Sequence, residues 1–144
     1  MKIRVIAFGK PALSYCRDGI SDYEKRLKRY GGIQLNYLKA GKDTTKQLAD
    51  ASKGCLRIVL DERGADWTTK KLTSFIDAQE LSGGGRDLAF LIGPFDGHSA
   101  ETRSSADHVL RLSALTLQHE HALLVLLEQI YRVRTIQAGT PYHK

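Results

Sequence analysis

Glu128, Tyr131 and Arg132 sit together near the end of the chain, and Tyr142, His143 and Lys144 form its last three residues. Residues four apart share a helix face, so Glu128 and Arg132 form either a surface ion pair or a carboxylate that orients a cation toward a phosphate. Tyr131 is suited to stacking on a base and equally to packing in a core. Unpaired RNA is read by aromatic stacking and arginine contacts, and this cluster has both residue types. Chain ends ordinarily fray. An end made of stacking and hydrogen-bonding side chains, with Pro141 stiffening its approach, is expected to dock into a site.

His119-Glu120-His121 offers imidazoles and a carboxylate but not the spacing of a metal site. Residues two apart leave a helix in different directions, and Leu123 stands where H-E-x-x-H needs its second histidine. No metal is expected. Cys16 and Cys55 are far apart and form no C-x-x-C pair, so they are expected to be reduced and structural. Gly9 stands alone after the first strand, without the glycines of a dinucleotide fingerprint. Gly41-Lys42-Asp43 is not a phosphate-binding loop, and no G-x-S-x-G elbow is present.

The elements that must position these residues alternate. Strands are predicted over Ile3 to Phe8, Ile33 to Leu38, Leu56 to Leu60 with Asp61 at its end, Leu88 to Ile92, and Val109 to Leu112. Helices are predicted over Pro11 to Tyr30, Thr44 to Ser52, Thr68 to Gln79, Ser99 to Ala106, and His119 to Ala138. Tyr15, Ile20, Tyr23, Leu27 and Tyr30 recur at helical spacing in the first helix; Leu72, Phe75 and Ile76 are expected to face inward. Ser82 to Gly85 reads as a loop. The pattern is an α/β domain with a parallel sheet covered on both faces, one domain over residues 1–144.

Ligands of open parallel sheets bind beyond the strand C-termini. Three strands end in candidate contact residues: Leu60-Asp61, Ile92-Gly93 and Leu112-Ser113. Gly93 permits close backbone approach or simply makes a turn. Leu112 to Leu117 is an apolar, small-residue loop, suited to holding an adenine edge or to a buried crossover.

The chain has 144 residues, 42% of them hydrophobic, and a net charge of +6. A basic field attracts polyanions, with RNA the first candidate and an acidic protein the second. Lys25, Arg26, Lys28 and Arg29, beside Tyr23 and Tyr30, are either a solvated face or a second RNA surface. No stretch is long and apolar enough for a membrane span. The first residues are too polar for a signal peptide, so a cytoplasmic protein is expected.

Leu91-Ile92-Gly93, Gly97-His98, Glu128-Gln129-Ile130-Tyr131-Arg132 and Tyr142-His143-Lys144 together resemble the ribosomal RNA large-subunit methyltransferase H family, small knotted enzymes of the SPOUT superfamily. The resemblance runs from Met1-Lys2-Ile3 and Gly9-Lys10, through Tyr23-Glu24-Lys25-Arg26-Leu27, to the last residue. It implies a trefoil knot in the C-terminal half, a homodimer, and methyl transfer from S-adenosylmethionine to N3 of a pseudouridine in large-subunit rRNA. By the same resemblance the cofactor is held by Leu60, Gly93 and the segment Leu112, Ser113, Ala114, Leu115, Thr116 and Leu117. The expected catalytic residues are His143, as base or orienter, with Tyr142, Arg132 and, second to His143, His119.

One hint of the dimer comes from the residues themselves. The last helix is apolar on all faces from Ala122 to Leu127 and is expected to need cover on every side. Two positions depart from the family pattern: Pro94 stands where a second glycine is usual, and Leu124 where an arginine is usual. The competing reading is a non-catalytic RNA- or ribosome-binding protein with a degenerate cofactor site.

Overall fold

Successive side chains of a strand point to opposite faces, and in the first strand of this chain both sets are apolar. Ile3, Val5 and Ala7 enter one buried cluster, Ile6 and Phe8 another. The strand β1 (Ile3–Phe8) must therefore be covered on both sides. The same two-sided pattern governs β3 (Leu56–Asp66), where Ile58 and Val59 part, and β4 (Leu88–Ile92), where Phe90 and Leu91 part. The computed structural model describes residues 1–82 and 84–143; the expected loop position Gly83 and the tail position Lys144 lie outside the described residues.

With β2 (Gln34–Leu38) and β5 (His108–Arg111), these strands form a five-stranded sheet in the order β2-β1-β4-β3-β5. Every pairing is parallel. Three helices, α1 (Ser14–Leu27), α3 (Thr69–Leu81) and α5 (His119–Ala138), bury their apolar stripes on one face. The shorter α2 (Thr44–Ala51) and α4 (Ala100–Ser105) lie on the other. Side chains of Asp43, Thr68, Ser99 and Gln118 cap the starts of α2, α3, α4 and α5.

Most boundaries fall within two residues of expectation, and two elements, the first helix and the third strand, differ by more for physical reasons. The helix expected over Pro11 to Tyr30 runs as α helix only from Ser14 to Leu27, tightens into a 3-10 turn at Lys28–Tyr30, and ends on Gly31 at φ 93°. The strand expected to stop at Asp61 continues to Asp66. Leu60 and Ala65 both pair with Leu110, so the chain between them loops out and rejoins β5. Gly64 makes this possible: a Cβ there would stand 2.6 Å from the backbone carbon of Leu110. Asp66 then accepts from Nη2 of Arg111 at 2.9 Å.

The apolarity of α5 is met inside its own chain. Leu123, Leu126, Leu127, Ile130 and Val133 are buried in the core beneath α1 and α3. Leu124 packs across Gly19 of α1, where a Cβ would come within 2.9 Å of its Cδ1. Only the rim of the apolar stretch, at Val125, is exposed. The expectation that this helix needs outside cover on every side is thereby corrected. Tyr15, at its expected helical spacing in α1, is exposed, and its ring lies against His121, with the hydroxyl 3.2 Å from Nε2.

Candidate active site

The three expected strand ends converge. A cleft of about 460 Å³ opens beyond β3, β4 and β5 and is lined by Leu60, Gly93, Leu112, Ser113, Leu115, Thr116 and Leu117. Its volume lies in the range usual for ligand pockets, roughly 300–1,000 Å³. Ala114 belongs to the same loop but is turned out to solvent and is not part of the cleft wall. His119 and Ala122, from the first turn of α5, close the far side.

The cleft wall is braced by Asp61, expected at a strand end, together with His98 and Arg103, which strand patterning does not single out. Asp61, at the bend of β3, has a side chain only 5% exposed and lies 3.6 Å from Nη1 of Arg103. That same Nη1 donates to the carbonyl of His98 at 2.7 Å. His98 is itself buried, and its Nε2 donates to the carbonyl of Leu91 at 3.0 Å. The ends of β3 and β4 and the start of α4 are thus tied into one frame. Burial lowers the pKa of His98, partly offset by the Leu91 carbonyl, so the ring stays neutral. Its Nδ1 is the one buried side-chain nitrogen or oxygen without a partner among the described residues.

Gly93 touches this frame rather than open space. A Cβ there would meet Cδ2 and the backbone N of His98, each at 3.1 Å. Pro94 opens a tight turn in which its carbonyl accepts from the amide of Gly97 at 2.8 Å. Phe95 stands 96% exposed at the tip of that turn, and Leu115 is 77% exposed across from it. The cleft is therefore rimmed by unpartnered apolar side chains. Acidic groups also border it. Glu62 accepts from the hydroxyl of Thr116 at 3.3 Å, linking the β3 bend to the Leu112–Leu117 loop.

The His119-Glu120-His121 run separates three ways. His119 lines the cleft, and His121 meets Tyr15. Glu120 is buried and caps α1, accepting from the amides of Ala12 at 2.7 Å and Leu13 at 2.9 Å. Burial pushes its pKa up, and the two amides together with Gln118 and His119 more than reverse this, so the carboxyl is held below its usual range. The described residues contain no group of three potential ligands placed to hold a metal ion.

A second polar cluster forms where the tail returns to α5. One oxygen of Glu128 accepts from Arg132 Nε at 3.1 Å and Nη2 at 2.6 Å, and from the Tyr142 hydroxyl at 3.1 Å. Glu128 raises the pKa of Arg132 and fixes it as a cation. With its own proton committed to Glu128, the Tyr142 oxygen accepts from Tyr23 at 3.3 Å. Tyr131 meets Tyr142 edge-on at 4.8 Å, and Arg26 lies over the rings of Tyr23 and Tyr131. Arg132 Nη1 reaches Nδ1 of His143 at 3.1 Å. The basic run of α1 is thus continuous with the tail, and Lys25, Arg26, Lys28 and Arg29 are exposed.

Within one chain these clusters are apart. His119 begins α5 and Arg132 lies thirteen residues further along it, a distance of about 20 Å at a rise of ~1.5 Å per residue. His119, the second choice to His143 as base or orienter, lies at the other end of α5 from the tail cluster.

Comparison with known proteins places the chain in a family. Residues 1–143 match the model of a family described as predicted SPOUT methyltransferase. The chain is 44% identical over 144 residues to a ribosomal RNA large subunit methyltransferase H of Thermus thermophilus, covering all of this chain and 99% of that one. It is 40% identical over 146 residues to the protein of the same name from Deinococcus radiodurans, again covering 100% and 99%. Among solved structures, one from Bordetella pertussis named as a probable methyltransferase superposes with a TM-score of 0.65 at 13% identity, over 92% of this chain and 94% of that one. A Legionella pneumophila structure with bound S-adenosylmethionine superposes with a TM-score of 0.53 at 15% identity, over 95% of this chain and 66% of that one. At such low identity these two likenesses speak for the fold. The sequence relationships settle the family: the chain belongs to the ribosomal RNA large subunit methyltransferase H family of SPOUT methyltransferases.

Proposed function

We propose that this protein transfers a methyl group from S-adenosylmethionine to N3 of a pseudouridine in large-subunit ribosomal RNA, working in the cytoplasm as a homodimer. The family supports methyl transfer and the relatives' name supports rRNA as the substrate. The pseudouridine, its N3 and the dimer are the finer part of the proposal.

The residues of the cleft fit the donor. Its loops are apolar and small-sided where an adenine would lie, and the carboxylate of Glu62 stands at their edge, while Asp61 is held by Arg63 and Arg103. Leu60, Gly93 and the Leu112–Leu117 loop would hold it. Bound there, S-adenosylmethionine supplies a methyl group already activated by its sulfonium. The protein's own task is then chiefly alignment of the nucleotide. The exposed cations of α1, with Arg132 and the tyrosines of the tail cluster, form the surface that would hold RNA by phosphate contacts and stacking.

The observation that carries the dimer is the distance of about 20 Å between the cleft and the tail cluster, given the ~1.5 Å rise per residue of α5. In-line methyl transfer needs donor and acceptor within about 3.5 Å. If both clusters serve one reaction, they come from different copies. An isologous pair that sets two α5 helices antiparallel places the tail of one copy over the cleft of the other. Phe95, Leu115 and Val125, exposed around the cleft and along α5, are the apolar side chains such a partner would cover.

The test is incubation of the purified protein with radiolabelled S-adenosylmethionine and large ribosomal subunits, followed by mass-spectrometric mapping of the modified nucleotide. Label on N3 of a pseudouridine is expected. No transfer to rRNA, with RNA bound but no S-adenosylmethionine bound in calorimetry, would leave the non-catalytic reading instead.

A further inference from the structure

His143 presents Nδ1, not Nε2, to Arg132, at 3.1 Å from Nη1. A guanidinium has only N–H donors, so Nδ1 must hold a free lone pair, and in the neutral ring the proton then sits on Nε2. The arrangement is locked from behind. Arg132 cannot swing away without leaving Glu128, which takes its Nε and Nη2. His143 itself is exposed, so its Nε2–H is available to a substrate.

From this geometry we propose that His143 acts in the reaction as a hydrogen-bond donor through Nε2, to a carbonyl oxygen beside the target nitrogen, and is not the base. The inference rests on the methyl-transfer function proposed above. The target nitrogen of a uracil ring is an imide flanked by two carbonyls. When it loses its proton the negative charge spreads onto those oxygens, and a fixed donor at one of them stabilises the charge as it develops. The proton passes to solvent water or hydroxide. The nitrogen lone pair forms the new N–C bond to the methyl group. The C–S bond breaks, and its electron pair stays on sulfur.

The groups facing His143 agree with this division of labour. Arg132 from α5 is a fixed cation whose Nη1 donates to Nδ1, so that lone pair is occupied. Tyr142, in the same tail, has its proton committed to Glu128 and accepts from Tyr23. The Glu128 oxygen that faces the cluster is occupied by Arg132 and Tyr142. Among the described residues the cluster is rich in donors and offers no open basic lone pair.

The test compares His143→Gln with His143→Ala in single-turnover methylation of large-subunit rRNA, from about pH 6 to 9, a span that covers the histidine range. The glutamine amide places an N–H close to where Nε2 sits but has no basic nitrogen. The proposal expects the Gln variant within about tenfold of wild type and the Ala variant down by roughly 10²–10³-fold, as for a lost oxyanion donor. The rate should climb with pH alike in wild type and His143→Gln. Equal losses in both variants, with a wild-type profile that levels off above about pH 6.5, would identify a base and overturn the proposal. An Ala variant as fast as wild type would overturn it as well. The wild-type rate in the same series separates the two inferences. No transfer by wild type overturns the substrate reading and this one together, whereas transfer with equal variant losses overturns only this one. Thermal melts of both variants should match wild type, since the ring is exposed.

Discussion

Tyr142 donates its hydroxyl to Glu128 across 3.1 Å, joining the last turn of the chain to the middle of its last helix. The same carboxylate oxygen holds Arg132, so one acceptor organises both the tail and the cation. Tyr142→Phe removes the bond to Glu128 and the acceptor for Tyr23. The expected result is a loss of about 1 kcal/mol of stability and a larger loss of methylation rate. Affinity for S-adenosylmethionine should be unchanged by calorimetry, because the cleft lies at the other end of α5. A matched fall in cofactor affinity would show that the tail also supports the cleft. Deleting residues 142–144 should give the same split more strongly.

Glu120 is a stability residue in a stretch that looks catalytic. Its carboxylate serves the two amides that open α1, and no side chain of α1 itself does so. Glu120→Ala removes the cap from those partly exposed donors and should cost about 1 kcal/mol. Chemical denaturation measures this. A variant as stable as wild type would remove the capping role.

Gly93→Val should weaken S-adenosylmethionine binding roughly tenfold or more, an effect above about 1.4 kcal/mol. The first added carbon meets His98 and Gly97, so the turn Pro94–Gly97 must move before the side chain can fit. Calorimetry gives the affinity, and circular dichroism shows whether the fold is kept. Unchanged affinity in a folded variant would move the cofactor away from this loop.

His98 makes stability depend on pH in a stated direction. Burial lowers its pKa in the folded protein, whereas in the unfolded chain it protonates near about pH 6.5. Between the two values the unfolded state binds more protons, so stability rises with pH in that window. It is complete above about pH 6.5 and is lost as pH falls through the folded-state pKa. The melting temperature of wild type should therefore drop between about pH 7 and 5, and His98→Gln should flatten that drop. An identical slope in the variant would contradict the assignment.

What the sequence makes legible here is what local patterning encodes. Two-sided apolar strands such as Leu88-Ala89-Phe90-Leu91-Ile92 predict a covered parallel sheet, and their C-termini at Leu60, Ile92 and Leu112 predict where the cleft opens. What escapes is set by pairings between distant segments. Nothing near Asp61 tells that β3 resumes at Ala65, because the cause is the backbone of Leu110 passing beside Gly64. Tyr15 has helical spacing with Ile20 and Tyr23 but faces solvent, since its ring is held by His121 from the far end of the chain. Glu120 reads as part of a histidine cluster because its partners, Ala12 and Leu13, are equally remote. His119 and His143 look interchangeable in sequence, and only the length of α5 separates them. The knot implied by the family concerns how segments thread, which no residue pattern expresses.

The most direct test of the account is a mixed dimer. One copy carries Gly93→Val, which disables its cleft; the other carries Arg132→Ala, which disables its tail cluster. The two are co-expressed with different tags and purified through both. Each variant alone should be nearly inactive on large ribosomal subunits. If the cleft of one copy works with the tail of the other, the mixed dimer has one intact site of two, from the Arg132→Ala cleft and the Gly93→Val tail. The account predicts about half the wild-type methylation rate, as one site in two requires. A mixed dimer no more active than either parent variant would contradict it.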